Sequence, residues 1–169
     1  MRKSQASAAR TKATVIRTAA RLFRERGFEA VSIADVMSAA GLTVGGFYRH
    51  FESKEALAAA AIEAATVEST SLGEKGPLAP GYLTARHCDH PGQGCPVAAL
   101  VTEIARQTQR TRGAFTDAVR GLVARLEPET GGHEAALRRA VELVGAVALA
   151  RAVRDEDKKL SDEILRAVR

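Results

Sequence analysis

Two cysteines and two histidines lie close together in one stretch of the chain, at His87, Cys88, His90 and Cys95. Thiols and imidazoles are zinc ligands, but this spacing fits neither the paired cysteines nor the paired histidines of a structural zinc site. The glycines and prolines around them predict an exposed loop. The stretch therefore predicts no bound metal, and its chemistry depends on the thiols.

Cys95 directly precedes Pro96, and proline suits the first position of a helix. In one interpretation Cys95 is a small buried side chain at the helix start, and Cys88 is an incidental loop thiol. In the other, the helix dipole stabilises the Cys95 thiolate, and oxidation joins it to Cys88 as a sensing state. No paired carboxylates, Ser/His/Asp order or glycine-rich phosphate loop stands out, so an enzyme hypothesis would rest only on Cys95 and a nearby histidine as a nucleophile pair. We therefore expect neither an enzyme nor a cofactor.

A second set of functional side chains lies in residues 32–51, SIADVMSAAGLTVGGFYRHF. Ser32 is a favourable N-cap, and Gly41 stands where the helix that Ser32 begins would end. Thr43 can cap a second short helix that ends near His50. Two short helices joined by a glycine-containing turn are the outline of a helix-turn-helix, whose second helix enters the major groove of DNA.

The second helix of this pair contains Gly45 and Gly46, each of which costs about 1 kcal/mol against alanine in a helix. The pair is explained if the backbone there must approach another surface closely. Tyr48, Arg49 and His50 can donate hydrogen bonds to phosphates or base edges. The alternative is a small three-helix hairpin that binds no nucleic acid.

The charge distribution favours the nucleic-acid interpretation. Residues 1–54 hold ten lysines and arginines against four acids, a net charge of +6, whereas residues 55–169 hold fifteen against sixteen. A polyanionic partner explains why the excess positive charge lies in the segment with the helix-turn-helix pattern.

The elements around these residues are predicted to be helical, because the chain of 169 residues is 46% apolar but only 4% aromatic and is rich in alanine. A basic, disordered arm over residues 1–10 precedes a helix over residues 11–26, with Phe28, Ala30 and Val31 as anchors before the next helix. Ser53 begins a long helix to about Thr70, and residues 71–95 form a loop. With no apolar run of 18 residues and no signal core, we expect a cytoplasmic protein without a membrane segment.

The C-terminal half predicts four more helices: residues 96 to about 107, residues 112–126 ended by Pro128, residues 134–153, and a short last helix capped by Ser161. The third of these is apolar nearly all round. Its own domain can cover one side, so a second subunit would cover the other.

Residues 19–57, AARLFRERGFEAVSIADVMSAAGLTVGGFYRHFESKEAL, resemble the DNA-binding domain of the TetR family of transcriptional regulators. The shared motifs are Arg-Gly-Phe, Ser-Ile-x-x-Val, Ala-Gly-Leu-Thr, Phe-Tyr-x-His-Phe and Ser-Lys-Glu-x-Leu. Residues 87–100 and 143–168 resemble one branch of the family, but the segment between helix four and Gly-Cys-Pro is shorter here. The resemblance implies an all-α homodimer with a DNA-binding domain over residues 1–52 and a helical effector-binding and dimerisation domain over residues 53–169.

The resemblance also implies a repressor that a small-molecule or redox inducer releases from a palindromic operator, with the inducer acting through Cys88 and Cys95 in the redox case. The expected DNA-binding residues are Ser32, Thr43, Val44, Gly45, Gly46, Tyr48, Arg49, His50 and Lys54. The expected dimerisation residues are Leu137, Val141, Val144, Gly145, Ala148, Leu149, Ile164 and Leu165. The alternative function is a helical thiol-based sensor, or a dimeric interaction protein with no specific DNA site.

Overall fold

The computed structural model describes residues 2–69 and 77–169, and it is helical throughout these ranges without a strand. This confirms the all-α prediction. The α-helices are α1 (Arg2–Arg26), α2 (Ile33–Ala39), α3 (Lys54–Glu68), α4 (Leu78–Tyr82), α5 (Ala85–Asp89), α6 (Pro96–Leu100), α7 (Gln109–Thr130), α8 (His133–Val153) and α9 (Lys158–Ala167). Short 3-10 helices cover Val44–Arg49, Pro91–Gln93 and Ile104–Arg106. No helix in the described ranges is both long enough and apolar enough to cross a bilayer.

Helix α1 begins at Arg2, so the prediction of a disordered arm over residues 1–10 is wrong. Arginine, lysine, glutamine and alanine all have high helix propensity, and they continue the helix toward the N-terminus. The apolar residues along one face of α1, Val15, Ala19, Leu22 and Phe23, are buried, at no more than 2% exposure.

Glycines and a serine cap set the boundaries of the helices around the helix-turn-helix, as predicted. Gly27 ends α1 in the left-handed region, with φ +82°. Ser32 then forms a capping box at the start of α2: its hydroxyl accepts the Asp35 backbone N–H, and the Asp35 carboxylate accepts the Ser32 N–H. Gly41 follows α2 with φ +71°. Phe28 and Val31 are buried anchors, whereas Ala30 is exposed, against the prediction.

The second short helix of the motif, Val44–Arg49, is a 3-10 helix. Its length of six residues and its two glycines disfavour a regular α-helix, and 3-10 geometry is common in such short pieces. Thr43 occupies the N-cap position, but its side chain makes no capping hydrogen bond.

Helix α3 joins the two halves of the molecule, packing against α1 on one side and α7 on the other. Ser53 caps it as predicted, accepting the Ala56 N–H at 3.2 Å. It ends at Glu68, close to the predicted end at Thr70, which lies outside the described residues. Within the predicted loop of residues 71–95, residues 78–82 and 85–89 are instead the short helices α4 and α5.

Two predicted helix ends in the C-terminal half are wrong. Helix α6 stops at Leu100 instead of near residue 107, and the chain then turns so that the Glu103 carboxylate reaches the N-terminal domain. Helix α7 runs through Pro128 to Thr130 and ends at Gly131, with φ +79°. Pro128 lies in the last turn of α7, where its missing N–H removes one helical hydrogen bond without ending the helix.

The last helix begins before its predicted cap. Asp157 is the N-cap of α9, accepting the Leu160 N–H at 2.9 Å. Ser161 therefore lies inside the helix, fully buried, and its hydroxyl accepts a hydrogen bond from Arg154.

Candidate functional site

Two buried phenylalanines anchor the segment Val44–Arg49 to the core. Phe47 and Phe51 are 0% and 6% exposed, and their rings stack with centroids 5.6 Å apart. On the opposite side Val44 and Tyr48 are 48% and 69% exposed, and Arg49 is exposed with them. The phenylalanines therefore fix a segment that presents its predicted contact residues to solvent.

The two glycines of this segment are not required by packing within the chain. A Cβ atom built on Gly45 meets nothing within 4 Å, and one built on Gly46 meets only the Met37 side chain, at 3.8 Å. Neither glycine has a positive φ. The fold would thus accept a side chain at both positions, so the pair needs another explanation.

Two predicted DNA-binding residues already have side-chain partners within the chain. The Lys54 ammonium donates to the Phe28 carbonyl at 2.5 Å, and the Ser32 hydroxyl is engaged with Asp35. Hydrogen bonds from Ser32 lower the pKa of the Asp35 carboxyl group. His50 is half-buried, and Thr43 is exposed. The roles of all nine residues at DNA stay predictions.

A basic residue that the sequence did not single out lies beside this segment. Lys12, on α1, is exposed, and its ammonium lies 5.4 Å from the centroid of the Phe51 ring. It brings positive charge from α1 to the side of the Val44–Arg49 segment. Nothing in the sequence near Lys12 indicates this proximity, because it depends on how α1 packs against Phe51.

The stretch that contains the cysteines is buried, so the prediction of an exposed loop is wrong for most of it. His87, Cys88 and Cys95 are 3%, 3% and 5% exposed, and only His90 of the four is exposed. Both cysteines are free thiols. Among the described residues no group of three or more side chains is arranged to hold a metal ion.

The His87 imidazole organises this buried stretch. Its Nε2 accepts the backbone N–H of Cys95 at 3.0 Å, so its Nδ1 carries the proton and donates to the Tyr82 carbonyl at 2.7 Å. Burial lowers the pKa of His87 to about 4, and the nearby arginines Arg151 and Arg24 add to this effect. His87 is therefore neutral at pH 7.

Two arginines hold the backbone around the cysteines. Arg151, on α8, donates to the carbonyls of His87 at 2.6 Å and Cys88 at 3.2 Å. Arg24, on α1, donates to the Gly94 carbonyl at 2.8 Å. Burial raises the pKa of the Cys88 thiol, which favours its unreactive protonated form.

A cavity of about 120 Å³ lies between α3, α6 and α7. Cys95 and Pro96 stand on one wall and Ala118 on another; its other lining residues are Thr66, Ser69, Val97, Gly121, Leu122 and Arg125. The predominantly apolar lining and small volume suit a compact ligand with few polar groups.

One face of α8 is apolar and open. Leu137, Val141 and Leu149 are 42%, 72% and 60% exposed, whereas Val144, Gly145, Ala148 and Ile164 of α9 are half-buried. A Cβ atom on Gly145 meets nothing within 4 Å. Leu165, predicted as a dimerisation residue, lies in the chain's own core at 2% exposure and is not part of this face.

Sequence comparison matches residues 15–61 to the family described as bacterial regulatory proteins, tetR family. The uncharacterized HTH-type transcriptional regulator YerO of Bacillus subtilis is 46% identical over 52 residues, which are 31% of this chain and 18% of that protein. The A-factor receptor protein of Streptomyces griseus is 35% identical over 74 residues, 44% of this chain and 27% of that protein. The matched part thus spans less than a third of these relatives.

Solved structures share the fold over nearly the whole chain. A TetR transcriptional regulator from Chloroflexus aurantiacus superposes with a TM-score of 0.75 at 23% identity, covering 99% of this chain and 94% of that one. E. coli NemR in its reduced form gives a TM-score of 0.70 at 23% identity, covering 94% and 95%. Residues 15–61 therefore match the DNA-binding segment of the TetR family of bacterial regulatory proteins, and the chain as a whole shares the all-helical fold of these solved structures.

Proposed function

We propose that this protein is a homodimeric transcriptional regulator that binds a palindromic operator and represses transcription until an inducer releases it. Residues 1–52 form the DNA-binding domain in this proposal, and residues 53–169 form the effector-binding and dimerisation domain. The observation that carries it is the exposed segment Val44–Arg49, whose glycines Gly45 and Gly46 serve no packing purpose within the chain. Close approach of the protein backbone to the DNA backbone or to base edges explains these two glycines.

The proposed contacts divide between phosphates and bases. Thr43, Tyr48, His50 and Lys54 contact phosphates, with Lys12 adding charge at the side, and Ser32 lies at the start of the positioning helix α2. Val44, Gly45, Gly46 and Arg49 face the bases, where an arginine can donate two hydrogen bonds to a guanine. The net charge of +6 over residues 1–54 strengthens this binding through release of counterions from DNA.

A second copy of the chain is the proposed occupant of the open face of α8. That face exposes Val141 and Leu149 beside Gly145 and Ala148, whose small side chains allow two helices to approach closely. Two copies related by a two-fold axis would place their recognition segments in successive major grooves, about 34–36 Å apart. This spacing would match a palindromic operator.

A small molecule in the cavity beside Cys95 is the proposed inducer, and oxidation of Cys88 and Cys95 is the second candidate. The cavity is closed on one side by α3, which leads directly into the DNA-binding domain. A ligand that shifts α3 would change the spacing of the two recognition segments. The burial of both thiols favours the small molecule over oxidation.

Selection of bound fragments from genomic DNA, followed by footprinting, tests the proposal. The parent should protect a palindrome and bind it at least about a thousandfold more tightly than random duplex at the same salt concentration. Arg49→Ala should lose that preference, whereas Arg120→Ala, which removes an exposed arginine of α7, should keep it. Equal affinity of the parent for selected and random duplexes would contradict a sequence-specific regulator.

A further inference from the structure

A carboxylate from the C-terminal half sits on the turn that leads into the helix-turn-helix. Glu103 Oε2 accepts the backbone N–H of Phe28 at 2.9 Å, across 75 residues of sequence. A Cβ atom at Gly27 would overlap the same carboxylate group. Glu103 therefore occupies the space that glycine leaves at the end of α1 and accepts the backbone N–H of the residue that follows it.

The other backbone polar group of Phe28 is held as well. Its carbonyl accepts the Lys54 ammonium at 2.5 Å, and its ring packs against Phe23 with centroids 5.2 Å apart. Ser32, which caps α2, follows only four residues later. The position of the Phe28 backbone thus sets where α2 begins and, through α2, where Val44–Arg49 is presented.

Glu103 belongs to a segment that lies along the N-terminal domain at several points. We call residues 94–110 the strap. Besides Glu103, the Gly94 carbonyl accepts from Arg24 at 2.8 Å, the Gln107 amide donates to Glu29 at 3.4 Å, and Arg110 pairs with Glu52. The Arg24 contact is the most buried of these, because only 2% of its side chain is exposed.

The same strap forms one wall of the cavity. Cys95, Pro96 and Val97, at its start, line that wall, and α6 ends at Leu100, three residues before Glu103. A ligand that displaces α6 would therefore move Glu103 relative to Gly27 and Phe28. This path runs beside α3 and reaches the Phe28 turn through the Glu103 carboxylate.

We propose that Glu103 is a positioning residue for operator recognition, and that the strap transmits occupation of the cavity to the Phe28 turn. The inference rests on the proposed DNA-binding function and adds to it a residue that touches no DNA. When the carboxylate is in place, the turn and α2 are fixed in the orientation that presents the recognition segment. When it is withdrawn, Phe28 loses its acceptor and the orientation of α2 is released.

The experiment uses the full-length protein labelled with ¹⁵N, with hydrogen exchange at the Phe28 amide as the direct readout. Glu103→Ala should speed that exchange and lower affinity for the selected operator about tenfold, as expected for loss of a charge-assisted hydrogen bond. Affinity for random duplex should stay within about twofold, since phosphate contacts are untouched. Glu103→Gln should restore both readouts, because its amide oxygen can still accept the Phe28 N–H.

Glu129→Ala is the matched control. Glu129 also accepts a backbone N–H across a long sequence separation, that of Leu78 at 3.1 Å, but it does so within the C-terminal half. It should lower stability without changing operator affinity or exchange at Phe28. Unchanged operator affinity in Glu103→Ala, or an equal loss in Glu129→Ala, would overturn the positioning role.

Transmission from the cavity is tested by filling it without a ligand. Ala118 lines the cavity, so Ala118→Leu occupies part of its volume, and Ala118→Val is the milder substitute if the first variant unfolds. Faster exchange at Phe28 together with weaker operator binding supports the strap, whereas a filled cavity with the parent's exchange rate overturns it. A parent that prefers no duplex contradicts the proposed function instead, and the exchange measurements then still report the Glu103 contact.

Discussion

His87 accepts the backbone N–H of Cys95 through Nε2, and this bond holds the N-terminal end of α6 against the interior of the C-terminal half. The acceptor exists only while the imidazole is neutral, because protonation converts Nε2 into a donor. Burial lowers the pKa of His87 to about 4, below its value of about 6.5 in the unfolded chain. Protons therefore bind the unfolded state more readily.

The first prediction is a loss of stability in mild acid. The contribution of neutral His87 is complete above pH 6.5 and is lost as the pH falls toward about 4, which lowers the free energy of unfolding by roughly 3 kcal/mol. Thermal or urea unfolding followed by circular dichroism between pH 7.5 and 4 measures this loss. His87→Gln should flatten the profile, whereas His133→Gln, at an exposed histidine, should keep the parent's slope. Identical profiles for the parent and His87→Gln would contradict the prediction.

The second prediction concerns Gly45 and Gly46. Leucine at either position raises helix propensity, and its Cβ meets no obstructing atom within the chain, so the melting temperature should stay equal or rise. Operator binding should be abolished in at least one of the two variants, because the side chain would stand between the backbone and the DNA.

The matched control for that experiment is Gly113→Leu, at an exposed glycine of α7 whose added Cβ also meets nothing within 4 Å. It should leave operator affinity unchanged. Gel shifts with the selected operator measure the difference among the three variants. Full binding by both Gly45→Leu and Gly46→Leu would remove the pair from the DNA surface.

Features that depend on residues close together in the sequence could be predicted, whereas features that depend on contacts between distant residues could not. The end of α1 before Gly27, the Ser32 cap and the end of α2 before Gly41 depend on residues within a few positions of one another, so the sequence pattern is sufficient to predict them. The contact of Glu103 with Phe28 joins residues 75 positions apart and leaves no periodic signal. It also accompanies the early end of α6, which the apolar spacing through Ile104 had predicted to continue.

The burial of the cysteine stretch could not be predicted, for a related reason. Glycine and proline correctly predicted an irregular backbone, and irregular segments usually lie on the surface. Here arginines from two other helices, Arg24 and Arg151, donate to the backbone carbonyls and allow the stretch to be buried. Pairing of this kind is visible only once the helices are packed.

The third prediction concerns assembly. Gly145→Glu places a charge in the middle of the open face of α8, where burial against a second copy without a partner costs several kcal/mol. Light scattering should give a dimer for the parent and a monomer for the variant. Because a Cβ at Gly145 meets nothing within the chain, the variant should keep its helical circular dichroism. Gly121→Glu, at an exposed glycine of α7, should stay dimeric, and a stable Gly145→Glu dimer would place the interface elsewhere.

The last prediction separates the two interpretations of the cysteines. Cys88 and Cys95 are 3% and 5% exposed, and burial raises the pKa of the Cys88 thiol despite the nearby Arg154 and Arg151. Since the thiolate is the reactive form, both thiols should react with a disulfide reagent far more slowly in the folded protein than in urea. Hydrogen peroxide added to the operator complex should therefore release no DNA, and a thiol count taken after denaturation should still find both cysteines reduced.

The variants Cys95→Ser and Cys88→Ser distinguish the packing interpretation from the redox interpretation. Both variants should bind the operator as the parent does, because serine approximates the volume of cysteine at each buried position. Release of the parent by peroxide, prevented in Cys95→Ser and accompanied by loss of both thiols, would instead establish a disulfide between residues 88 and 95 as the inducing state. Such a bond requires Cα atoms about 4.4–6.8 Å apart, and Arg24 and Arg151 hold the Gly94 and Cys88 carbonyls of this segment. Oxidation of both thiols without release of DNA would leave Cys95 a packing residue at the start of α6.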